Sequence, residues 1–121
     1  MSQFEDKSKY TLEDRTLKFS KEIIKFCKAC SKNIVTIPLV NQLIRSGTSI
    51  GANYREANGA SSKRDFQNKI FICKKESKET LYWLNLLEDT FDGEQLNCKA
   101  LSQEAKELVL IFGKIAYSAK E

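Results

Sequence analysis

The sequence predicts an all-α protein, an antiparallel up-down-up-down four-helix bundle with left-handed crossings. Three observations carry that expectation. Apolar residues recur at alternating steps of three and four in four successive segments, the period of helices that bury one face. The 121 residues include one proline and five glycines, which is little turn punctuation. No segment shows the strict alternation of a half-buried strand. A chain of this length forms one domain, 1–121, with a core that needs no staples. Residues 1–10 read as a flexible N-terminal tail.

The first helix is expected to open near Thr11, with Asp14 as the acid of a capping box. Its stripe is Leu12, Thr16, Phe19, Ile23, Phe26 and Cys30. The second begins around Pro38, a residue suited to a first helical turn, and carries Leu39, Leu43, Ser46, Ile50, Asn53 and Ala57. Asn58-Gly59 supplies its stop. Ser62, with Asp65 three residues on, opens the third helix. That helix carries Phe66, Ile70, Cys73, Ser77, Leu81 or Thr80, Leu84 and Leu87, and is expected to end near Asp92-Gly93. The fourth uses Leu101, Ala105, Leu108, Phe112, Ile115 and Ala119.

The second helix is rich in small residues: Ser46, Gly47, Ser49, Gly51 and Ala52. Each glycine costs roughly 1 kcal/mol against alanine in a helix interior, so the cluster predicts close approach by a neighbouring helix. A turn centred on Ala60 would set Arg45 across from Glu76, Gln42 across from Glu79, Ser49 across from Ile72 and Pro38 across from Trp83. Arg45, Ser49, Asn53, Glu56, Glu76 and Glu79 then form a structural polar network, because buried charge survives only when paired and hydrogen-bonded. A competing use of Glu56, Glu76 and Glu79 is acid–base or metal chemistry. The chain contains no histidine, which removes the commonest general base and the partner that bundle metal sites use. The expectation is no catalytic residue, no metal and no cofactor.

These positions also carry a resemblance. Arg45, Ser46, Ser49, Ile50, Asn53, Glu56 and Ala57, then Ser62, Asp65 and Phe66, then Glu76, Glu79, Trp83 and Leu84 follow a pattern that resembles the 23S rRNA intervening-sequence proteins. The likeness is weakest before Thr11 and after Asp89. It implies a four-helix bundle, and relatives encoded within intervening sequences of 23S rRNA genes. A more distant set looks like the accessory variability determinant of diversity-generating retroelements. That likeness rests on a serine-opened third helix ending in Trp83-Leu84, and it implies a homopentamer that binds a reverse transcriptase and nucleic acid.

Net charge is +4. From Lys63 to Lys78 six basic residues stand against two acidic ones, so this segment accounts for the whole excess. Phe71, Lys75, Lys78 and Tyr82 fall on one helical face, and cations interleaved with rings suit phosphates and unpaired bases. Candidate nucleic-acid contacts are therefore Lys63, Arg64, Phe71, Lys74, Lys75, Lys78 and Tyr82. Lys18, Lys21, Lys25 and Lys28, continued by Lys32, form a second basic stripe on the first helix. The competing reading of each stripe is a solvated surface.

Four cysteines read as reduced thiols. Cys27-Lys-Ala-Cys30 has redox and zinc readings, but it lies within a helix and its only companions, Cys73 and Cys98, stand alone. Small buried hydrophobes fit better. Gly47 to Gly51 lacks the lysine of a phosphate loop, and Trp83 is expected to pack near Pro38. Leu17, Ile24, Phe71, Tyr82 and Ile111 are apolar residues off the core stripes and predict self-association. The absence of a long apolar run or signal-like start predicts a cytoplasmic protein that does not enter membranes. The expected function is a non-enzymatic, homo-oligomeric accessory that binds RNA or nucleoprotein. The alternatives are a protein-interaction scaffold without nucleic acid or, as the distant resemblance implies, a retroelement reverse-transcriptase accessory subunit.

Overall fold

The computed structural model describes residues 12–90 and 95–119, the last segment by backbone alone at 95 and 96, and these described residues form four helices. They are α1 (Leu12–Ala29), α2 (Thr36–Asn58), α3 (Lys63–Glu88) and α4 (Gln95–Ser118). No strand occurs among the described residues. The expected N-terminal tail, the start at Thr11 and the stop at Asp92-Gly93 lie outside them.

The helix ends follow from local chemistry. Glu13 and Asp14 in the first turn of α1 complement the positive end of its dipole. At the other end the Lys32 Nζ donates to the carbonyls of Cys27, Lys28 and Cys30 at 3.0–3.1 Å. Lys32 thus caps α1 instead of extending the lysine stripe. α2 starts at Thr36, two residues before Pro38. Asn33 Oδ1 accepts from the N–H groups of Val35 and Thr36, both at 2.9 Å. Thr36 Oγ1 accepts from the Asn33 N–H and donates to the Ser31 carbonyl. Pro38 falls in the third helical position, where its missing N–H is still one of the orphans. Ser62 is extended and its Oγ accepts from the Asp65 N–H at 3.0 Å, the expected opening of α3. α3 ends at Glu88, earlier than the Asp92-Gly93 signal, because the N–H and hydroxyl of Thr90 both turn back onto the Leu87 carbonyl.

α1 packs on α2, α2 on α3, α3 on α4, and the thinnest seam closes α4 onto α1. Ile23 meets Gly47 and Thr16 meets Gly51 across the first seam, Arg45 meets Glu76 and Glu56 meets Lys69 across the second, and Glu88 meets Lys99 and Lys74 meets Gly113 across the third. The α1–α2 seam is built on glycine. A Cβ at Gly47 would sit 2.9 Å from Ile23 Cγ2, and one at Gly51 would sit 3.2 Å from Thr16 Oγ1. Two glycines one turn apart admit the neighbouring helix, and Ser20 Oγ donates to the Gly47 carbonyl across the gap. The α2–α3 seam uses Thr80, whose hydroxyl reaches Ser46 Oγ at 2.9 Å.

Phe19, Ile23, Leu43, Ile50, Ile70, Leu84, Leu87, Leu108 and Phe112 form the fully buried centre. Val40, Cys27, Cys98 and Ala116 join the core from outside the four stripes. Ile111, expected to be wet, is half-buried against the core. Tyr54 meets Phe112 edge-on, with ring centroids 5.5 Å apart. Trp83 packs against the core, and its Nε1 and the Ser102 hydroxyl are buried without a hydrogen-bond partner among the described residues. Each such orphan costs about 1–3 kcal/mol.

Candidate nucleic-acid interface

Lys63 and Arg64 stand exposed in the first turn of α3. Cations at a helix N-terminus oppose the dipole, so the positive potentials of side chains and peptide groups add there. Two to four turns further along, Phe71, Lys74, Lys75, Lys78 and Glu79 line one open groove of about 390 Å³. Tyr82 lies beyond it, its ring edge-on to Trp83 at 5.0 Å, and lines a separate groove that it shares with α4.

The groove's positive charge is uncompensated. Among the described residues, Lys63, Arg64, Lys74, Lys75 and Lys78 enter no ion pair. The acid that lines the groove, Glu79, is taken by Arg45 Nη2 at 2.7 Å. Lys69 is the exception in the segment: Glu56 accepts from its Nζ at 2.8 Å, and that hydrogen bond raises the lysine pKa.

On α1, Lys18, Lys21, Lys25 and Lys28 are all exposed. Lys18 lies 3.9 Å from Glu22, a loose pair of little energetic weight. Lys25 borders a hollow between α1 and α4, and Lys28 borders an apolar furrow between α1 and α2. α1 and α3 share no packed seam and sit diagonally. One copy of the chain therefore presents its two basic stripes on different sides, and they do not merge into a single surface.

The six polar residues grouped from the sequence separate into smaller sets. Arg45 donates to both oxygens of Glu76 at 3.3–3.4 Å and to Glu79. The Glu76 hydrogen bond is the main cause that holds the guanidinium pKa above its ordinary value. Ser49 Oγ donates to the Arg45 carbonyl, and Asn53 Nδ2 donates to the Ser49 carbonyl. Both satisfy themselves one turn back on their own helix and not on the carboxylates, an option short polar side chains always have. Glu56 belongs to Lys69 instead.

Sequence reasoning missed a second cluster. Arg15 on α1 forks onto Glu104 at 2.6 and 2.8 Å and onto Glu107 at 2.7 Å, both on α4. The hydrogen bonds that Arg15 donates to Glu104 chiefly raise the Arg15 pKa. Hydrogen bonds from Gln103 and then Arg15 lower that of Glu107. The partners lie 89 and 92 residues apart, and no local spacing rule connects them.

The thiols are closed to solvent. Burial pushes Cys27 and Cys73 up to about 12 and Cys98 up to about 11. They stay protonated at neutral pH, and Cys30 donates to the Phe26 carbonyl one turn back. Among the described residues no three His, Cys, Asp or Glu side chains gather where a metal could be held. No helix among them is long and apolar enough to cross a membrane.

Fold and surface together define an all-α four-helix bundle with one strongly cationic helix face and a polar clamp beside it. The chain belongs to the 23S rRNA-intervening sequence protein family, whose model matches residues 8–114. It is similar to a crystal structure of a protein of unknown function from the S23 ribosomal protein family of Bacteroides thetaiotaomicron. The two share 35% identity with a TM-score of 0.74, over 86% of this chain and 96% of that one. No curated protein matches the chain.

Proposed function

We propose that the chain is a non-enzymatic, cytoplasmic, homo-oligomeric accessory protein that binds RNA or nucleoprotein through the basic face of α3. One observation carries the reading: three lysines and the Phe71 ring line one open groove on α3 whose bordering carboxylate is already bound to Arg45. Free cations release counterions when they neutralise phosphates, and an exposed ring stacks on any unpaired base. The diagonal placement of α1 supports the oligomeric part. Lys18, Lys21, Lys25 and Lys28 can act on the same RNA as α3 only from another copy, where several weak contacts add through effective concentration. Five copies is the number the resemblance implies.

Salt-dependent binding to structured and single-stranded RNA tests the proposal. Lys75→Glu with Lys78→Glu should weaken binding with helicity unchanged, and should flatten the salt slope by about 0.7–0.9 for each phosphate no longer neutralised. Phe71→Ala should cost about 1–3 kcal/mol on single strands. No binding by the unaltered protein at low salt removes the nucleic-acid reading. A single light-scattering peak at 13.8 kDa removes the oligomer. The second reading is a protein-interaction scaffold without nucleic-acid binding; the distant resemblance adds an accessory subunit of a retroelement reverse transcriptase. The exposure of Ile34, Val35, Tyr82 and Leu110 favours it.

A further inference from the structure

Between α3 and α4 lies an open groove of about 520 Å³ whose floor is Leu81 and Tyr82 from one helix and Val109 and Leu110 from the other. Lys78 stands on its α3 margin and Lys106 on its α4 margin; Asn85 completes the lining, and no carboxylate takes part. The floor is open to water: Leu110 is 72% exposed and Tyr82 56%. On α4, Lys106, Leu110, Gly113 and Tyr117 recur at steps of four, three and four, so they share one face. At 1.5 Å per residue that face runs about 16 Å, or three turns. Gly113 keeps it low, with the Lys74 stem 3.7 Å from where a Cβ would sit. Lys74, beside Gly113, adds a third cation, and none of these three lysines is ion-paired among the described residues.

The chemistry of this surface selects its occupant. Two neighbouring helices leave a furrow between them that receives a third helix as a ridge. Three of the four floor side chains are aliphatic, which offers bases little to stack on but suits a leucine stripe. Unpaired cations on both margins call for carboxylates on both flanks of that stripe. We infer that the α3–α4 groove binds an acidic amphipathic helix of a partner protein. Its apolar stripe rests on Leu81, Tyr82, Val109 and Leu110, and its Glu or Asp flanks meet Lys78 and Lys106. The inference goes beyond RNA binding and shares Lys74, Lys78 and Tyr82 with the residues expected to meet RNA.

The test uses the full chain and a labelled acidic peptide of about five turns, with Leu at i, i+3, i+4 and i+7 and Glu on both flanks. Its controls are a twin with Lys for Glu and a scrambled peptide. Anisotropy at physiological salt should show the acidic peptide binding at least about tenfold tighter than either control. Leu110→Glu and Lys106→Glu should each weaken it about tenfold or more, while Leu17→Glu on α1 should not. Leu110→Ser is the second floor variant, and circular dichroism confirms that each variant is folded. The emission of Trp83, the single tryptophan, should move when the peptide covers Tyr82.

Equal binding of acidic and basic twins, or indifference to both Leu110 variants, overturns the inference. So does conversion of an oligomer to monomer by Leu110→Glu, which makes a second copy the occupant. Displacement of the peptide by an oligonucleotide that itself needs Leu110 assigns the groove to nucleic acid and overturns it too. Lys63→Glu with Arg64→Glu should reduce RNA binding and spare the peptide, so failure of one reading is distinguishable from failure of the other.

Discussion

Gly47→Ala sets two known effects against each other. Helix propensity favours alanine by about 1 kcal/mol. Against it, the new Cβ meets Ile23 Cγ2 at 2.9 Å, Cγ1 at 3.0 Å and Cβ at 3.3 Å. Ile23 is fully buried, and a β-branched side chain cannot swing both γ carbons aside without leaving its rotamer. Either α1 recedes or the side chain strains, and overpacking of this kind costs about 1–3 kcal/mol. The net expectation is a loss of up to about 2 kcal/mol, even though the substitution improves the helix. Ile23→Ala alone should cost about 2–5 kcal/mol. In that background both γ carbons are gone and only the Cβ at 3.3 Å remains, so Gly47→Ala should become stabilising by up to about 1 kcal/mol. Urea denaturation followed by circular dichroism on the four proteins of the cycle measures this sign change. A gain for Gly47→Ala in the unaltered protein, or effects that add within about 0.5 kcal/mol, would refute the close-approach argument.

Arg45→Ala should cost about 1–2 kcal/mol, less than the about 3–5 of a fully buried pair, because the arginine side chain is 49% exposed although Glu76 is only 9% so. Glu76→Gln in that background should recover part of the loss, and strict additivity in a urea-denaturation cycle would mean the two residues do not interact. Ser62→Ala should cost about 1 kcal/mol through the missing α3 cap, with Ser62→Asp near neutral; equal losses in thermal melts would deny the cap. Burial raises the folded-state pKa of Cys73 to about 12 from an ordinary 9.0. The folded form holds its proton longer, so stability is intact below pH 9 and declines as pH rises towards 12. Cys73→Ala should flatten that alkaline slope in urea titrations, and unchanged slopes would contradict the burial argument.

What the sequence discloses is what repeats locally. The 3–4 stripes placed Phe19, Ile23, Leu43, Ile70, Leu84 and Phe112 inside, because helical periodicity and burial are the same fact seen twice. Ser62 and Asp65 marked the start of α3 because a cap is built within four residues. The spacing about Ala60 brought Arg45 near Glu76 and Glu79, since a short connection fixes antiparallel register. Contacts between chain-distant helices had no such guide, and Arg15 with Glu104 and Glu107 went unread. Asn33 and Thr36 make the reciprocal bonds of a capping box with residue types other than its usual Ser or Thr and Glu or Gln, so the sequence expectation places the start of α2 two residues late. Lys32 looked like one more lysine of a stripe until its position past the end of α1 turned it onto carbonyls. Ser49 and Asn53 were assigned to partners across the seam, whereas their own backbone lay closer.

The Arg15 fork also bears on how the molecule comes apart. α1 rests on α2 through a seam in which Ile23 and Thr16 sit against two glycines, and is tied to α4 by a half-exposed ionic clamp at its N-terminal end. α2, α3 and α4 are the more heavily joined trio. Proteins open in units bounded by their weakest seams, which makes α1 a leaf on a hinge and the other three helices the residual folded body. Amide protons of α1 should then exchange through partial opening, well before those around Ile70 and Leu84. The departure of α1 would bare the apolar core that Phe19, Ile23 and Phe26 cover, so the partly open form should bind a hydrophobic dye before the other three helices unfold.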